Sequence, residues 1–454
     1  MPRLGWCAAE ESPDVPVSSP RPPGSHGHWC AIDFGTSNSA VALPAPAGEV
    51  RLVALEPGFE TMPTAVFYRA DGPAWAEPVC EYGRAAVAAY VDGLDGRLMR
   101  SMKSILGSPL AQQTTDVGGG RGVRYADIVA GYLRHLLARA QLKAGHPIER
   151  AVLGRPVFFV DDDPVRDAQA QAALEAAAQA AGLRELHFQF EPIAAALDHE
   201  RSLAREELVL VADIGGGTSD FSLVRVGPER RLRVDRREDI LANHGVHVAG
   251  TDFDRHIELA AILPLLGYRA YGPARAGEPA REVPSAIYFD LATWHLINTA
   301  YAPARLAELR QMRGFYAEPR HHARLMTVLE ERLGHALAAA AEQAKIDAAT
   351  HGRAHIDLSL LEPSLSSALS EREAAQVIEA DCARIEQAAR EAARLAGVAP
   401  QAVDALYFTG GSTGLAPLVS RIAGCFPQAR QAQGDRFASV ARGLGEHARR
   451  VFGR

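Results

Sequence analysis

The chain has 454 residues, of which 47% are hydrophobic and 23% charged, and it carries a formal net charge of -7 at neutral pH. That length suits one large domain or two to three ordinary ones, with enough apolar side chains for a sizeable core. The acidic balance excludes a general nucleic-acid binder, which would present a basic face.

Residues 1–28, MPRLGWCAAEESPDVPVSSPRPPGSHGH, are acidic and proline-rich and lack an apolar h-region, so they read as a disordered extension and not a secretory signal. Order is expected from Trp29. Residues 29–69 read as strands with turns, including VRLVAL and TAVFY. A helix is expected at about 125–143, after a glycine cluster, VGGGRG, flanked by TTD and read as a flexible surface loop. RAVLGRPVFF reads as a buried strand. The next helix has clear punctuation: Asp163 at the N-cap, Pro164 in the first turn and Gly182 past the end. ELHFQFEP predicts a strand ending at Glu191, IAAALDHE starts a helix, and EELVLVADIGGG returns to strand. Strand, helix, strand, helix, strand is the pattern of an α/β core with a partly parallel sheet.

From about 253 to 350 helices dominate, then AHIDLSLLE reads as a strand pair. A capping box, Ser370 with Glu373, opens another helix. VDALYFTGGSTGLAPLVSRI predicts strand, glycine turn and helix, and FASVARGLGEHARRVF a final helix. The five cysteines, Cys7, Cys30, Cys80, Cys382 and Cys425, are scattered with no CxxC, which suits a reducing cytoplasmic compartment. None of the sixteen histidines falls in an HExxH motif. No run approaches the roughly 18 apolar residues of a membrane helix.

One stretch resists a purely structural reading. VADIGGGTSDFSLV, residues 211–224, ends a strand in an aspartate, runs through three glycines and resumes as a strand. Glycine loses the most backbone entropy on folding, so a triplet there points to bare backbone amides at a ligand, most often a phosphate. Residues 30–43, CAIDFGTSNSAVAL, repeat the template: Asp33 matches Asp213, Gly35 matches Gly215, and Thr36 and Thr218 lie just past the glycine. The repeat distance is too long for a solenoid and predicts two related lobes, each giving one hairpin to a shared site. A nucleoside triphosphate site needs amides around phosphates, carboxylates that hold hydrated magnesium and a cation near the transferred phosphoryl group. Asp33 and Asp213 fit the carboxylates; the amides of Gly35, Thr36, Ser37, Gly216, Gly217 and Thr218 fit the cradle.

Together with YFTGGST, these residues resemble the nucleotide-binding domain of the heat-shock protein 70 family, within the actin and sugar-kinase superfamily. IDFGTSNS is similar to the first phosphate loop, TMPTAVFY to the segment after it, DIGGGTSDFSL to the second phosphate loop, AGTDFD to the GGxDFD segment and FTGGST to the adenosine loop. The match runs from about residue 29 to the end. It implies an α/β actin-like ATPase (ribonuclease H-like) fold. Lobe I would span 29–225, with an insert at about 60–150; lobe II would span 226–454, with a helical insert at about 253–350. It also implies roles: Lys103 (in MKSILG) as catalytic lysine, Glu191 (in EPIAAAL) orienting the attacking water, and Asp33 and Asp213 holding magnesium through water. Asn38, Gly215, Gly250, Glu342, Lys345, Gly410, Gly411, Ser412 and Asp435 would join the nucleotide site, with Asp220 a neighbour of Asp213 and Pro156 at a hinge. The implied activity is slow magnesium-dependent hydrolysis of ATP to ADP, coupled to lobe closure and read by a protein partner, with neither nucleic acid nor membrane involved.

The pattern departs from the family in three places. Gly414 and Leu415 follow GGST where the family carries an arginine, and Ile346 and Ala349 stand where it has an arginine and a serine facing the base. The chain also ends where the nucleotide-binding domain would end, so the expectation is an ATPase unit without a peptide-binding domain. A non-hydrolysing nucleotide-gated scaffold, an actin-like filament protein and a small-molecule kinase are the alternatives.

Overall fold

The computed structural model describes residues 28–71, 77–118, 120–160, 163–273, 279–433 and 438–453. Residues 1–27 of the expected extension, and Asp435, lie outside the described residues.

Two sheets organise the chain, and they share one plan. In the first, Trp29–Phe34 lies between its hairpin partner Asn38–Pro44, antiparallel, and Arg150–Arg155, parallel. Val50–Leu52 extends the hairpin side, and Glu185–Phe190 extends the parallel side. In the second, Glu207–Ile214 lies between Ser219–Val226, antiparallel, and Ala405–Thr409, parallel. Ile240–Val246 and Arg430–Gln433 take the two edges. Leaving aside Thr61–Pro63, a sixth strand that also pairs with Asn38–Pro44 in the first sheet, both orders read from the hairpin edge are third, second, first, fourth, fifth strand. The duplicated hairpin expected from the sequence is therefore matched by a duplicated sheet. Because Glu207–Ile214 and Ser219–Val226 pair with strands that follow them, the change of sheet falls ahead of Glu207, not at the expected boundary of 225/226.

Strand alternation sorts the core into layers. Cys30, Ile32 and Phe34 face one apolar cluster with the Tyr125–Ala144 and Pro164–Ala180 helices. Leu210, Ala212 and Ile214 face another, with the helices beyond residue 250. The opposite faces, Trp29 and Ala31 on one sheet and Val209 and Val211 on the other, share a third cluster. Two helices fill that shared layer: Glu191–Arg201 through Ile193, Ala194 and Ala196, and Ser439–Phe452 through Ala441, Leu444 and Ala448. Asp33 and Asp213 continue the Trp29–Ala31 and Val209–Val211 series, so both belong to the side facing this shared layer.

Local signals behave largely as the sequence predicts. The Asp163 carboxylate accepts from the Arg166 N–H at 3.0 Å with Pro164 in the first turn. The Ser370–Glu373 capping box forms in both directions, at 3.2 and 2.9 Å. Around the glycine cluster, Thr114–Asp116 and Gly122–Arg124 pair as a hairpin, with Val117 fully buried and Arg121 donating to the Arg69 carbonyl. Two readings need correction. The strand at Arg353–Asp357 pairs with Ser366–Ser370, so only half of the expected pair lies in AHIDLSLLE. The buried strand after residue 150 stops at Arg155, because Pro156 has no N–H to continue the ladder.

The two helices of the shared layer approach at Gly443, where a Cβ would run into the Ala194 carbonyl. Gly443→Val should therefore cost about 1–3 kcal/mol, the range for overpacking a filled core. Urea unfolding followed by circular dichroism measures it; an unchanged midpoint would mean that the helices separate at no cost.

Candidate functional site

Four turns converge at the ends of the strands that carry the aspartates. The first joins Phe34 to Asn38 and is tight enough that Gly35 has no room for a side chain against the Asn38 carbonyl. The second is the glycine triplet. None of its three residues has a left-handed φ, so the triplet is not there for backbone conformation. Only Gly216 is short of space: a Cβ there would sit 3.2 Å from Ser37 Oγ, whereas one on Gly217 would meet nothing within 4 Å. The third turn, at Ala249–Thr251, is tied to the triplet. Thr251 donates to the Gly216 carbonyl from both its N–H and its hydroxyl at 2.8 Å, and the Gly250 N–H reaches the Gly215 carbonyl at 3.3 Å. The fourth follows Thr409. Ser412 Oγ donates to the Gly215 carbonyl at 2.7 Å, and Gly410, at φ +88°, lies so close that a Cβ would come within 2.7 Å of Asp213 Oδ1. Thr36, Ser37 and Thr218 are half-buried there, and Asn38, Gly217 and Gly411 are exposed.

Lys103 and Glu191 come from elsewhere and meet. Lys103 is buried in a short 3-10 turn, Met102–Ile105, that follows Ser101 in a left-handed conformation at φ 53°. A non-glycine residue held there stores strain of the kind found at functional sites. Glu191 opens its helix, where the helix dipole favours a carboxylate. The lysine ammonium donates to Glu191 Oε1, and the pair is largely buried. Gly154, in the strand next to Asp33's, makes room: a Cβ there would touch Glu191 Cγ at 3.2 Å.

The charges do not balance. Asp33, Asp213 and Glu191 oppose a single cation, Lys103. Burial first, then the Glu191 charge, pushes the Asp33 carboxyl up to about 8, against the pull of Lys103. Burial, then Asp220 and Glu191, pushes Asp213 up to about 7. Both keep an opening to the cleft, so the surplus negative charge faces the space between the glycine turns. Among the described residues no three His, Cys, Asp or Glu side chains converge to hold a metal directly. The donor set suits a hydrated divalent cation held through its waters and shared with phosphate oxygens.

On the far side of the turns the sequence-predicted residues divide. Lys345 is committed to Asp254, at 2.6 Å. Glu342, one helical turn before it, is exposed, and its charge acts on both Arg100 and Asp254. Ile346 is exposed and Ala349 half-buried.

An Hsp70 protein family model matches residues 105–260, a stretch that contains Glu191, the glycine triplet and the Gly250 turn. Across about half of the chain the sequence is similar to curated chaperones. It is 30% identical to chaperone protein dnaK of Cyanophora paradoxa, covering 51% of this chain and 37% of that protein. It is 32% identical to a chaperone protein HscA homolog of Aromatoleum aromaticum, covering 53% and 39%. For chaperone protein DnaK of Thermosipho melanesiensis the figures are 32% identity, 50% and 34%. Over this stretch the chain is similar to the Hsp70 family. It spans less than two-fifths of the length of these relatives.

Sequence reasoning assigned no role to three residues that shape the site. Gly154 carried a readable signal, since a glycine inside a buried strand often marks a close approach. Thr251 and Asp254 lie in the AGTDFD segment, but their partners, Gly216 and Lys345, are set by how separate segments pack.

A raised carboxyl binds more protons in the folded than in the unfolded chain between its two pKa values. Folded-state stability is therefore lost as pH rises through the raised value. The ligand-free Asp213→Asn protein should melt higher than wild type at pH 8, with the difference shrinking progressively below pH 7. Thermal melts across pH test this; equal melting temperatures at pH 8 would show that Asp213 carries no excess charge burden.

Proposed function

We propose that this chain binds magnesium ATP between its two glycine-turn hairpins and hydrolyses it slowly. The observation that carries this reading is the meeting of Asp33, Asp213, Glu191 and Lys103 in front of the glycine turns, with one cation for three carboxylates. The residues present fit magnesium, because a divalent cation would offset the burial and the neighbouring carboxylate charge that hold Asp33 and Asp213 high. When bound, it would neutralise phosphate charge. Asp33 and Asp213 would hold it through its water shell. The amides of Gly35, Thr36, Ser37, Gly216, Gly217 and Thr218 would take phosphate oxygens, with the Thr36 and Thr218 hydroxyls alongside.

Lys103 then serves two ends. It pairs with the Glu191 carboxylate, and it offers its remaining N–H donors to the transferred phosphoryl group. Glu191 accepts from the attacking water and aligns it with the γ-phosphate. Closure of two lobes, each built on one of the sheets, would bring the four turns onto the nucleotide, and that movement would be the signal to a protein partner in a chaperone-like or regulatory role. The described cysteines Cys30, Cys80, Cys382 and Cys425 are unpaired, in keeping with work in the cytoplasm. No described helix is long and apolar enough to cross a membrane.

Single-turnover hydrolysis of ATP with magnesium tests the proposal. Lys103→Ala should slow the step by about 10²–10³-fold, the loss expected for one preorganised donor at a developing charge. Asp213→Asn should weaken the magnesium dependence as well. Tight binding without wild-type hydrolysis would replace the ATPase by a nucleotide-gated scaffold, and absence of binding would overturn the assignment.

A further inference from the structure

Between the strands Ser219–Val226 and Ile240–Val246 the chain forms a surface strap, residues 227–239, that is held from beneath by charge. The Arg236 side chain is fully buried and donates to the two oxygens of Glu200, at 2.8 and 3.1 Å, and to Asp239, both carboxylates being buried too. Arg230 brings a second guanidinium to Asp239 and reaches Glu206 at 2.6 Å. The Gly227 N–H also donates to Glu200, at 2.9 Å. Desolvating such a cluster costs about as much as its attractions return, so what it secures is geometry more than stability. That geometry presents apolar side chains to water: Leu232 is 76% exposed and Val234 46%. Beside them stand Arg231, Arg233 and Arg237, and among the described residues none of these three has a carboxylate partner. We infer that residues 231–237 are a docking surface for a segment of a partner protein that carries carboxylates and apolar side chains together.

Single exposed apolar side chains are ordinary on a protein surface. What marks these two is their company. Residues 225–239 hold six arginines and no lysine, against four acids, in a chain whose net charge is -7. Of those acids, Asp239 is spent on the buried cluster and Asp235 accepts from the Arg237 N–H at 3.0 Å. Arginine is enriched at protein interfaces, and its planar fork pairs with carboxylates on two points. Charge complementarity therefore asks for an acidic partner, and Leu232 and Val234 ask for apolar contacts between its carboxylates. Nucleic acid would find no aromatic side chain in the strap on which to stack a base. A lipid surface would find two apolar side chains where an interfacial anchor offers a whole apolar face. The strap lies at the opposite end of Ser219–Val226 from the glycine triplet, about 25 Å away by the rise of an extended strand, so it stands apart from the nucleotide reading.

Fluorescence anisotropy on the full chain tests this, with a short fluorescein-labelled peptide of alternating glutamate and leucine as the probe. The peptide should bind, and more weakly as salt rises. Replacing its glutamates by glutamine, or its leucines by serine, should each cost about tenfold or more in affinity. Arg233→Glu combined with Arg237→Glu should weaken the original peptide by about tenfold or more, and Leu232→Ser combined with Val234→Ser by a similar factor. All four side chains are exposed, so both double variants should melt where wild type does. Absence of binding, or binding that either double variant leaves unchanged, would overturn the inference. Equal affinity for the glutamine peptide would overturn it as well. Vesicles of phosphatidylserine and phosphatidylcholine, or single-stranded DNA, bound more tightly than the peptide and released by the same variants, would assign the strap to a lipid surface or to nucleic acid and overturn the protein partner.

Discussion

The close crossing of two helices at Gly443 and Ala194 is the constraint on which the rest of the molecule depends. The Glu191–Arg201 and Ser439–Phe452 helices share the layer between two sheets whose five main strands follow the same order. Small residues dominate their contact, so the backbones approach closely and the inner faces of both sheets are drawn onto one thin layer. Each sheet sends one aspartate to that side, at the end of its first strand. Had either strand slipped by one residue, its aspartate would have pointed into an apolar core. The site is thus a consequence of strand parity and of how thin the shared layer is.

The same crossing explains why Glu191 sits where it does. It begins one of the two helices, at the point where Glu185–Phe190 ends, and so it lies in the shared layer beside both aspartates. Lys103 reaches it from a strained turn on the first sheet's side. The outcome is three carboxylates around one buried ammonium. That arrangement is costly for the empty protein, because burial and repulsion both oppose ionisation. It becomes favourable once a cation and polyanion together complete the charge pattern. A site that is electrostatically incomplete by itself is one that ligand binding can drive.

Beyond the fourth turn the chemistry changes character. The phosphate side is rich in backbone amides and unbalanced charge, whereas a neighbouring cavity is apolar and its charged rim is paired internally.

Much of this was legible in the sequence. The two aspartate–glycine templates, the punctuation of the 164–180 helix by Asp163, Pro164 and Gly182, the Ser370 cap and the Lys103 and Glu191 positions all follow from local composition or from resemblance to the Hsp70 family. Local rules suffice there because a turn, a cap or an alternating strand is decided by residues a few positions apart. Other features were settled only in three dimensions. The change of sheet ahead of Glu207 depends on strands pairing across nearly 200 residues, from Val209 to Ala405. The hairpin around the glycine cluster is tied by Arg121, which donates to the Arg69 carbonyl. Lys345 and Ser412 proved to be engaged with Asp254 and Gly215, contacts between segments that no spacing rule connects. By itself the sequence determined which groups could do chemistry with a phosphate. Tertiary structure alone decided which of them remain free to do so, because a hydrogen bond or an ion pair claims its partner only after the chain has packed.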